Sequence, residues 1–268
     1  MTTSHIPSAA PARLEVRDVS KTFVRRRGFW ATPLKTAALA GVSLAVDAGE
    51  ILGVVGESGS GKTTLGRIIV GLETANGGTI TLGERVLASG RMHVPAAARG
   101  IGMIFQDPYS SLNGRMRVRD IVGEGLRIAG RAGAREIDER VDAALSMVGL
   151  RQADRERYPH QFSGGQRQRI GIARAIVMEP RLLIADEAVS SLDVSVQMQV
   201  LNVLLDIREK LGLALMFITH NIGVVEYLCD RVVVLARGEI VESGQTRMVI
   251  GAPQHAYTQK LIEAVPRL

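Results

Sequence analysis

A glycine-rich stretch that begins at residue 56 has the residue types and spacing needed to bind phosphate groups. It follows a short apolar run, Ile51–Val55, and reads GESGSGKTT from Gly56 to Thr64, which matches the pattern G-x-x-x-x-G-K-[ST]. Glycines allow backbone N–H groups to converge on one anion without clashes from Cβ atoms. A helix that begins near Lys62 would add its own N–H groups and the positive end of its dipole. We therefore predict that this loop binds a nucleoside triphosphate.

The residues of this phosphate loop have separate expected roles. Lys62 should reach the β- and γ-phosphates, and the Thr63 hydroxyl should coordinate Mg²⁺. The alternative is an ordinary strand-to-helix turn rich in glycine and serine, but the complete pattern behind a buried strand disfavours it. The residues predicted to contact the nucleotide are Gly56, Glu57, Ser58, Gly59, Ser60, Gly61, Lys62, Thr63 and Thr64.

Two carboxylates follow a second apolar run, at residues 182–185. An enzyme with a phosphate loop needs a carboxylate at a strand end to hold Mg²⁺, directly or through water. Asp186 fits this role because it comes directly after the run. Glu187 lies one residue further, where a carboxylate could activate the attacking water. The alternative, a pair of acids that face solvent, is less favoured in a chain that also carries the phosphate loop.

A second helix start suited to anions lies at residues 162–166, which read FSGGQ. Ser163 and the two glycines that follow it would leave backbone N–H groups available at the beginning of a helix. Taken alone, this segment is better explained as an ordinary serine N-cap with a flexible loop. Its interpretation therefore depends on the motifs that accompany it.

The elements that must position these groups indicate an α/β fold. Aromatic residues make up only 4% of the chain, so the core must consist mainly of Val, Ile, Leu and Ala, which suits buried parallel strands covered by helices. After the phosphate loop, apolar strands alternate with helices, a pattern typical of a parallel sheet with right-handed crossovers. Before it, strands at 14–19 and 39–46 alternate in polarity, and a hairpin turn is predicted at 47–49.

We therefore predict a P-loop NTPase fold of the α/β class. It has a mainly parallel core sheet, an N-terminal antiparallel β-subdomain and an inserted α-helical subdomain at about 107–165. Residues 14–268 would form one nucleotide-binding domain, and residues 1–13 a disordered lead-in. Helices are predicted at 62–70, 118–129, 134–148, 164–178, 194–211, 224–229 and 257–264. Further strands are predicted at 79–82, 85–87, 101–105, 214–218, 232–236 and 239–242. Turn-rich segments are predicted at 76–78 and 107–113.

Composition and charge narrow the function further. The formal charge is +6, but the basic residues are spread along the chain and the densest run is 25–27, so a nucleic-acid surface is only weakly supported. Cys229 is the only cysteine, which excludes an intrachain disulfide and a cysteine-based metal site. No apolar run approaches the ~20 residues that cross a bilayer. We expect a soluble chain that reaches a membrane only through a partner.

The segment FSGGQRQRIGIARA, which starts at Phe162, resembles the signature of ABC proteins. The order of the motifs around it resembles the ATP-binding subunit of ABC transporters from about residue 14 to the C-terminus. Several motifs in this order in one chain are more specific than any one of them. The resemblance implies a Walker A loop at 56–63, a Q-loop glutamine at Gln106 that senses Mg²⁺ and water, and the signature at Ser163, Gly164, Gly165 and Gln166. It also implies a Walker B magnesium ligand at Asp186, the catalytic base at Glu187 and a D-loop that includes Ser190 and Asp193. Finally, it implies a switch histidine at His220 and an aromatic that stacks on adenine at Phe23.

Three of these assignments have plain structural alternatives. Gln106 could simply end a strand, His220 could be a structural histidine at a strand end, and Phe23 could serve only packing. Trp30 is a substitute candidate for stacking on adenine. The family roles of Gln106 and His220 are favoured because of their positions relative to the other motifs.

Within the family, segments such as IFQDPYSSLN and APQHAYTQKLIEAVP resemble the ATPase subunits of bacterial oligopeptide, dipeptide and nickel importers. The sequence departs from that pattern at Gly114, Phe162, Ala188 and Asn221, none of which replaces a catalytic group. The resemblance implies ATP and Mg²⁺ as ligands and a location on the cytoplasmic face of the inner membrane. It also implies a second ATPase subunit, identical or homologous, integral membrane permease subunits and, indirectly, a solute-binding protein.

Two functions from other classes compete with this interpretation. A non-transport ABC ATPase that acts on nucleic acid or ribosomes usually brings a long coiled coil or two fused ATPase units, and neither is apparent. A regulatory module that binds nucleotide without hydrolysing it is disfavoured by Glu187 and His220. No nucleic-acid partner is expected.

Overall fold

The computed structural model describes residues 13–25, 34–90, 92–130 and 132–264. The predicted lead-in, except for Arg13, and the candidate Trp30 lie outside the described residues. Within them the strands are β1 (Leu14–Arg25), β2 (Leu34–Val46), β3 (Ile51–Val55), β4 (Gly77–Leu82), β5 (Arg85–Ser89), β6 (Met92–His93), β7 (Ile101–Ile104), β8 (Leu182–Asp186), β9 (Ala214–Thr219), β10 (Arg231–Ala236) and β11 (Glu239–Gln245). The helices are α1 (Lys62–Val70), α2 (Pro108–Ser111), α3 (Val118–Ala129), α4 (Ala134–Met147), α5 (Gly164–Ile176), α6 (Val194–Leu211), α7 (Ile222–Leu228), α8 (Thr246–Gly251) and α9 (Ala256–Glu263).

The chain divides into two compact units. One, the N/C unit, comprises residues 12–99 and 216–268, and the other, the middle unit, comprises residues 100–215. The N/C unit contains an antiparallel sheet in the order β2-β1-β4-β5-β6. Leu14 of β1 lies opposite Val46 of β2 on one side and Leu82 of β4 on the other. All three side chains are buried, so the alternation read in this part of the sequence corresponds to a sheet with one face in the core.

The strand before the phosphate loop belongs to a different sheet of the N/C unit. β3 is buried at all five positions and runs parallel to β10, with Val54 opposite Val233. β11 then pairs antiparallel with β10. The expectation of a hairpin between β2 and β3 is wrong, because β2 pairs with β1 while β3 lies in the other sheet. The turn at 47–49 therefore carries the chain from one sheet to the next.

The middle unit contains the parallel pair β7 and β8 and most of the long helices. Ile101 of β7 lies opposite Leu182 of β8. Between β7 and α5 the chain is helical, and α3, α4 and α5 pack against one another. On α4 the predicted apolar face is buried at Ile137, Val141 and Ala144. Leu145 is also buried there, whereas the predicted Met147 is only half-buried. The buried face of α4 therefore follows the 3.6-residue period of a helix more closely than the predicted face does.

Several predicted boundaries move, each for a local reason. The segment at 107–113 is not only turns: Asp107 caps the short helix α2, since its carboxylate accepts the N–H groups of Tyr109 and Ser110. Strand β4 begins at Gly77, inside the predicted turn, because Gly77 pairs with Ser20 of β1. Helix α8 is absent from the predictions.

No helix within the described ranges is long and apolar enough to cross a membrane.

A buried arginine holds the C-terminal end of α1. Arg99 is only 1% exposed, and burial lowers the pKa of its guanidinium. Its Nη1 donates to the carbonyls of Ile68 (2.9 Å) and Ile69 (2.8 Å), and its Nε donates to Val94 O (2.7 Å). A positive charge at this end also matches the negative end of the helix dipole. Arg99 therefore fixes the end of α1 that lies opposite the phosphate loop.

We expect Arg99→Met to lower the free energy of unfolding by about 3 kcal/mol or more, because three carbonyls lose a charged donor. Equilibrium urea unfolding measures this change. Arg135→Met is the control, since the Arg135 side chain is 93% exposed, and it should change stability by less than about 0.5 kcal/mol. Equal effects of the two substitutions would contradict the role of Arg99.

The single cysteine is buried at the end of α7. Cys229 is 8% exposed, and burial, assisted by the nearby Asp230 carboxylate, raises the pKa of its thiol. Because only the thiolate reacts, native protein at pH 8 should react with a disulfide reagent about a hundred-fold or more slowly than the urea-unfolded chain. Spectrophotometric thiol titration tests this, and fast native labelling would contradict the buried placement.

Candidate active site

The phosphate loop connects β3 to α1, and two of its glycines occupy positions without room for a side chain. Gly56 and Gly61 have φ angles of 153° and 109°, in the region that L-residues rarely adopt. A Cβ atom on Gly56 would lie 2.1 Å from the carbonyl oxygen of Leu235, and one on Gly61 would lie 2.4 Å from that of Ala38. The spacing read in the sequence is therefore imposed by the close approach of neighbouring strands.

Lys62 is buried and lies across this loop. It is 4% exposed, and its Nζ donates to the carbonyl oxygens of Gly56 (2.7 Å) and Glu57 (2.8 Å). An ammonium group removed from water needs such acceptors. The bonds keep the positive charge at the loop, which is the position expected for a lysine that binds phosphates.

The loop also contains a buried polar group without a protein partner among the described residues. Ser60 is 5% exposed, and its Oγ has no hydrogen-bond partner in the described part of the chain. Gly61 occupies the N-cap position of α1 and has no side chain to cap it, and the first turn contains no acidic residue. Buried polar groups are usually satisfied, so these features fit a bound anion such as a triphosphate.

The outer edge of the loop contacts the C-terminal helix α9. The Glu57 N–H donates to the hydroxyl oxygen of Tyr257 at 2.9 Å. Glu57 and Tyr257 line a cleft of about 540 Å³ together with other loop residues, Arg237 and Lys260. Sequence reasoning missed Tyr257, because no pattern links a C-terminal tyrosine to a loop so far away in the chain.

Two further predicted residues of the N/C unit, His220 and Phe23, lie beside or on strands. His220 directly follows β9 and is exposed. Asn221, one of the departures from the family pattern, caps α7: its Oδ1 accepts the Val224 N–H at 3.3 Å, and its own N–H donates to Thr219 Oγ1 at 3.0 Å. Phe23 lies on β1, is 42% exposed, and has Lys21 Nζ 5.0 Å from its ring centroid.

In the middle unit, the structure brings together two predicted catalytic residues, Gln106 and Glu187. Asp186 ends β8 and is 5% exposed. Glu187 follows with φ of 48°, a conformation that turns the chain sharply after the buried strand. Gln106 Nε2 donates to Glu187 Oε2 at 2.9 Å. Ser190 of the predicted D-loop fixes the turn, because its N–H and Oγ both donate to the Glu187 carbonyl.

The predicted signature begins α5. Ser163 is the N-cap: its Oγ accepts the Gln166 N–H at 3.4 Å, and its N–H donates to Gln166 Oε1 at 3.0 Å, which forms a capping box. A Cβ atom on Gly165 would lie 2.4 Å from Val196 Cγ1, so a larger residue there would require the Val196 side chain to move. Asp193 occupies the N-cap position of α6 without a side-chain cap bond.

The predicted magnesium ligands have suitable chemistry. Mg²⁺ prefers oxygen ligands and is usually held by one or two carboxylates together with substrate phosphates and water. Thr63, Gln106 and Asp186 supply a hydroxyl, an amide oxygen and a buried carboxylate. No group of three or more His, Cys, Asp or Glu residues able to hold a metal occurs among the described residues. The residues present therefore fit Mg²⁺.

Comparisons with known proteins now define the class. A family model described as ABC transporter matches residues 39–190. The Dipeptide transport ATP-binding protein DppF of Haemophilus influenzae is 42% identical over 251 residues, which cover 93% of this chain and 77% of that protein. The Oligopeptide transport ATP-binding protein OppF of Escherichia coli is 46% identical over 258 residues, which cover 94% of this chain and 77% of that protein.

Solved structures agree with the sequence relatives. CbiO1 from Clostridium perfringens, described as part of the ABC transporter complex cbiONQ, has a TM-score of 0.76 at 28% identity and covers 90% of this chain and 92% of its own. The ATP-binding cassette MJ0796, in a dimeric structure bound to ADP and Pi, has a TM-score of 0.74 at 27% identity, with 87% and 99% covered. The chain belongs to the ABC transporter family. Its predicted P-loop NTPase fold class is confirmed.

Proposed function

We propose that this chain is the ATP-hydrolysing subunit of an importer for oligopeptides or dipeptides. The buried Lys62 on a loop that accepts only glycine at Gly56 and Gly61 is the observation that carries ATP binding. The choice of peptides is supported by relatives named for dipeptide transport, at 42% identity, and for oligopeptide transport, at 46% identity. Nickel or another small solute is the runner-up cargo.

In this mechanism the phosphate loop binds the β- and γ-phosphates of ATP. The N–H groups at the start of α1 and the Lys62 ammonium neutralise the phosphate charge. Mg²⁺, held by Thr63, Asp186 and Gln106, would supply further charge neutralisation when bound. His220 contacts the γ-phosphate and helps to position the attacking water.

Glu187 orients that water and accepts its proton during in-line attack on the γ-phosphate. The Gln106 amide bond to Glu187 Oε2 restricts the rotation of the carboxylate. The sharp backbone turn at Glu187, held by Ser190, restricts it further. Together these contacts support a preorganised base rather than a mobile surface acid.

The signature is proposed to complete the ATP site of a second ATPase subunit. The capping box at Ser163 and the crowded position of Gly165 produce a second helix start suited to phosphate. A head-to-tail pair of subunits would use one phosphate loop and one signature for each ATP. The D-loop residues Ser190 and Asp193 would lie at the same contact. Phe23 is proposed to stack on adenine, since much of its ring is exposed on β1.

The proposed partners follow from this role. The chain would act at the cytoplasmic face of the inner membrane, bound to permease subunits and served indirectly by a solute-binding protein. Action on nucleic acid or ribosomes is not favoured, because the named relatives are transport proteins.

The test is uptake of a labelled tripeptide by cells that lack this chain, complemented with wild type or with Glu187→Gln. We expect the wild type to restore uptake and the variant to fail, although both associate with the membrane. Labelled nickel is measured in parallel. If the wild type restored nickel uptake without peptide uptake, the peptide assignment would be overturned. If Glu187→Gln restored the uptake of peptide and of nickel, coupling to ATP hydrolysis would be overturned.

A further inference from the structure

We propose that Tyr257 is a positioning residue for the phosphate loop, whose hydroxyl fixes the Glu57 peptide and thereby orders the loop for ATP. The inference rests on the proposed binding of ATP by this loop and adds to it a task for the C-terminal helix α9. It concerns affinity for the triphosphate and not the chemical step.

Both backbone polar groups of Glu57 have partners. Its N–H donates to Tyr257 Oη at 2.9 Å. Its carbonyl oxygen accepts Lys62 Nζ at 2.8 Å and the Ser60 N–H at 3.2 Å. The peptide that starts the glycine-rich loop is thus held from two sides, by a residue of the loop's own helix and by a residue of α9.

Tyr257 is itself held to the sheet of the N/C unit. The two carboxylate oxygens of Glu242 on β11 accept the N–H groups of Gln254 (2.9 Å) and His255 (3.1 Å). Burial would raise the pKa of Glu242, but these hydrogen bonds keep it below its usual range, so the carboxylate stays ionised at neutral pH. His255 Nδ1 then accepts the Tyr257 N–H at 3.1 Å. This series of bonds fixes the position of the tyrosine relative to β11.

The contacts of Lys62 and of Tyr257 with the Glu57 peptide differ in what nucleotide binding does to them. In the proposed function, Lys62 Nζ also bonds to phosphate oxygens, so its three N–H donors are shared between the loop carbonyls and the nucleotide. The Tyr257 hydroxyl lies on the outer edge of the loop and its bond needs no change. It can therefore hold the peptide both before and after ATP binds.

Ordering this loop has a real cost without such a contact. Three glycines lie within six residues, from Gly56 to Gly61, and glycine loses more backbone freedom than any other residue when it is fixed. A contact that orders the loop beforehand improves affinity by reducing that loss. A single neutral hydrogen bond of ordinary strength corresponds to about a three- to ten-fold change in affinity.

The test is equilibrium titration of the full chain with ATP, as wild type and as Tyr257→Phe. We expect Tyr257→Phe to bind ATP about three- to ten-fold more weakly, with a higher KM and with kcat at saturating ATP unchanged within about two-fold. Tyr227→Phe is the matched control, because Tyr227 lies on α7 of the same unit, is 51% exposed and does not line the cleft. It should behave as wild type.

The outcomes separate this inference from the proposed function. Wild-type affinity in Tyr257→Phe, or a fall in kcat with KM unchanged, would overturn the role of Tyr257. Failure of the wild type itself to bind ATP would overturn the proposed function instead. A further test uses only the wild type and therefore does not require that the variant folds. In amide hydrogen exchange without nucleotide, the Glu57 amide should be protected. Exchange at the rate of an open loop would overturn the inference.

Discussion

Replacement of Glu187 by glutamine should abolish ATP turnover and leave ATP binding intact. Glutamine has nearly the same shape, so the turn after β8 and a contact with Gln106 can persist. It cannot accept the proton of the attacking water, and loss of a general base typically costs about 10²- to 10⁴-fold in rate. Phosphate release under saturating Mg²⁺ and ATP measures the loss, and nucleotide titration checks that binding is retained.

The middle unit offers a matched control for this substitution. Glu179 is another glutamate with a left-handed backbone, at φ of 53° compared with 48° for Glu187. Its carboxylate pairs with Arg140 at 3.2 Å and has no predicted part in catalysis. Glu179→Gln should therefore retain wild-type turnover. Near-normal hydrolysis by Glu187→Gln would show that the base is a different group.

Replacement of Lys62 by alanine should weaken ATP binding itself, by about a hundred-fold. The substitution removes a buried ammonium that is expected to form charge-assisted hydrogen bonds with phosphate oxygens, each worth about 1.5–3 kcal/mol. It also removes the bonds that hold the Gly56 and Glu57 carbonyls, so the loop loses order as well as charge. Equilibrium titration with ATP gives the dissociation constants directly.

Lys35→Ala provides the comparison, since Lys35 lies on β2 of the same unit and is exposed. It lowers the net charge equally without touching the loop. We expect it to bind ATP as the wild type does. If the two substitutions weakened binding to the same degree, the effect would be one of overall charge, and the specific role of Lys62 would be contradicted.

The sequence predicted best those elements whose ends are marked by local chemistry. Helices α1, α3 and α6 and strand β3 have the predicted bounds, because a glycine or a polar turn residue stands beside a clear periodic or apolar run. Gly71 at the end of α1 is an example, since its φ of 92° suits a C-cap that glycine adopts easily.

The features that were missed depend on contacts between distant residues. The bond between Gln106 and Glu187 joins positions 81 residues apart, and the bond from Glu57 to Tyr257 joins positions 200 apart. Local patterns place each residue at a strand end, a loop or a helix, but they do not reveal its partner. The wrong hairpin between β2 and β3 has the same origin, because two strands joined by a short turn normally pair and here each finds another neighbour.

The proposed function depends above all on binding of the triphosphate of ATP by the loop from Gly56 to Thr63. A crystal structure of Glu187→Gln with Mg²⁺ and ATP tests it most directly, since turnover is blocked. We expect β- and γ-phosphate oxygens at about 2.7–3.2 Å from loop N–H groups and from Lys62 Nζ. A triphosphate bound elsewhere, with this loop empty at saturating ATP, would contradict it.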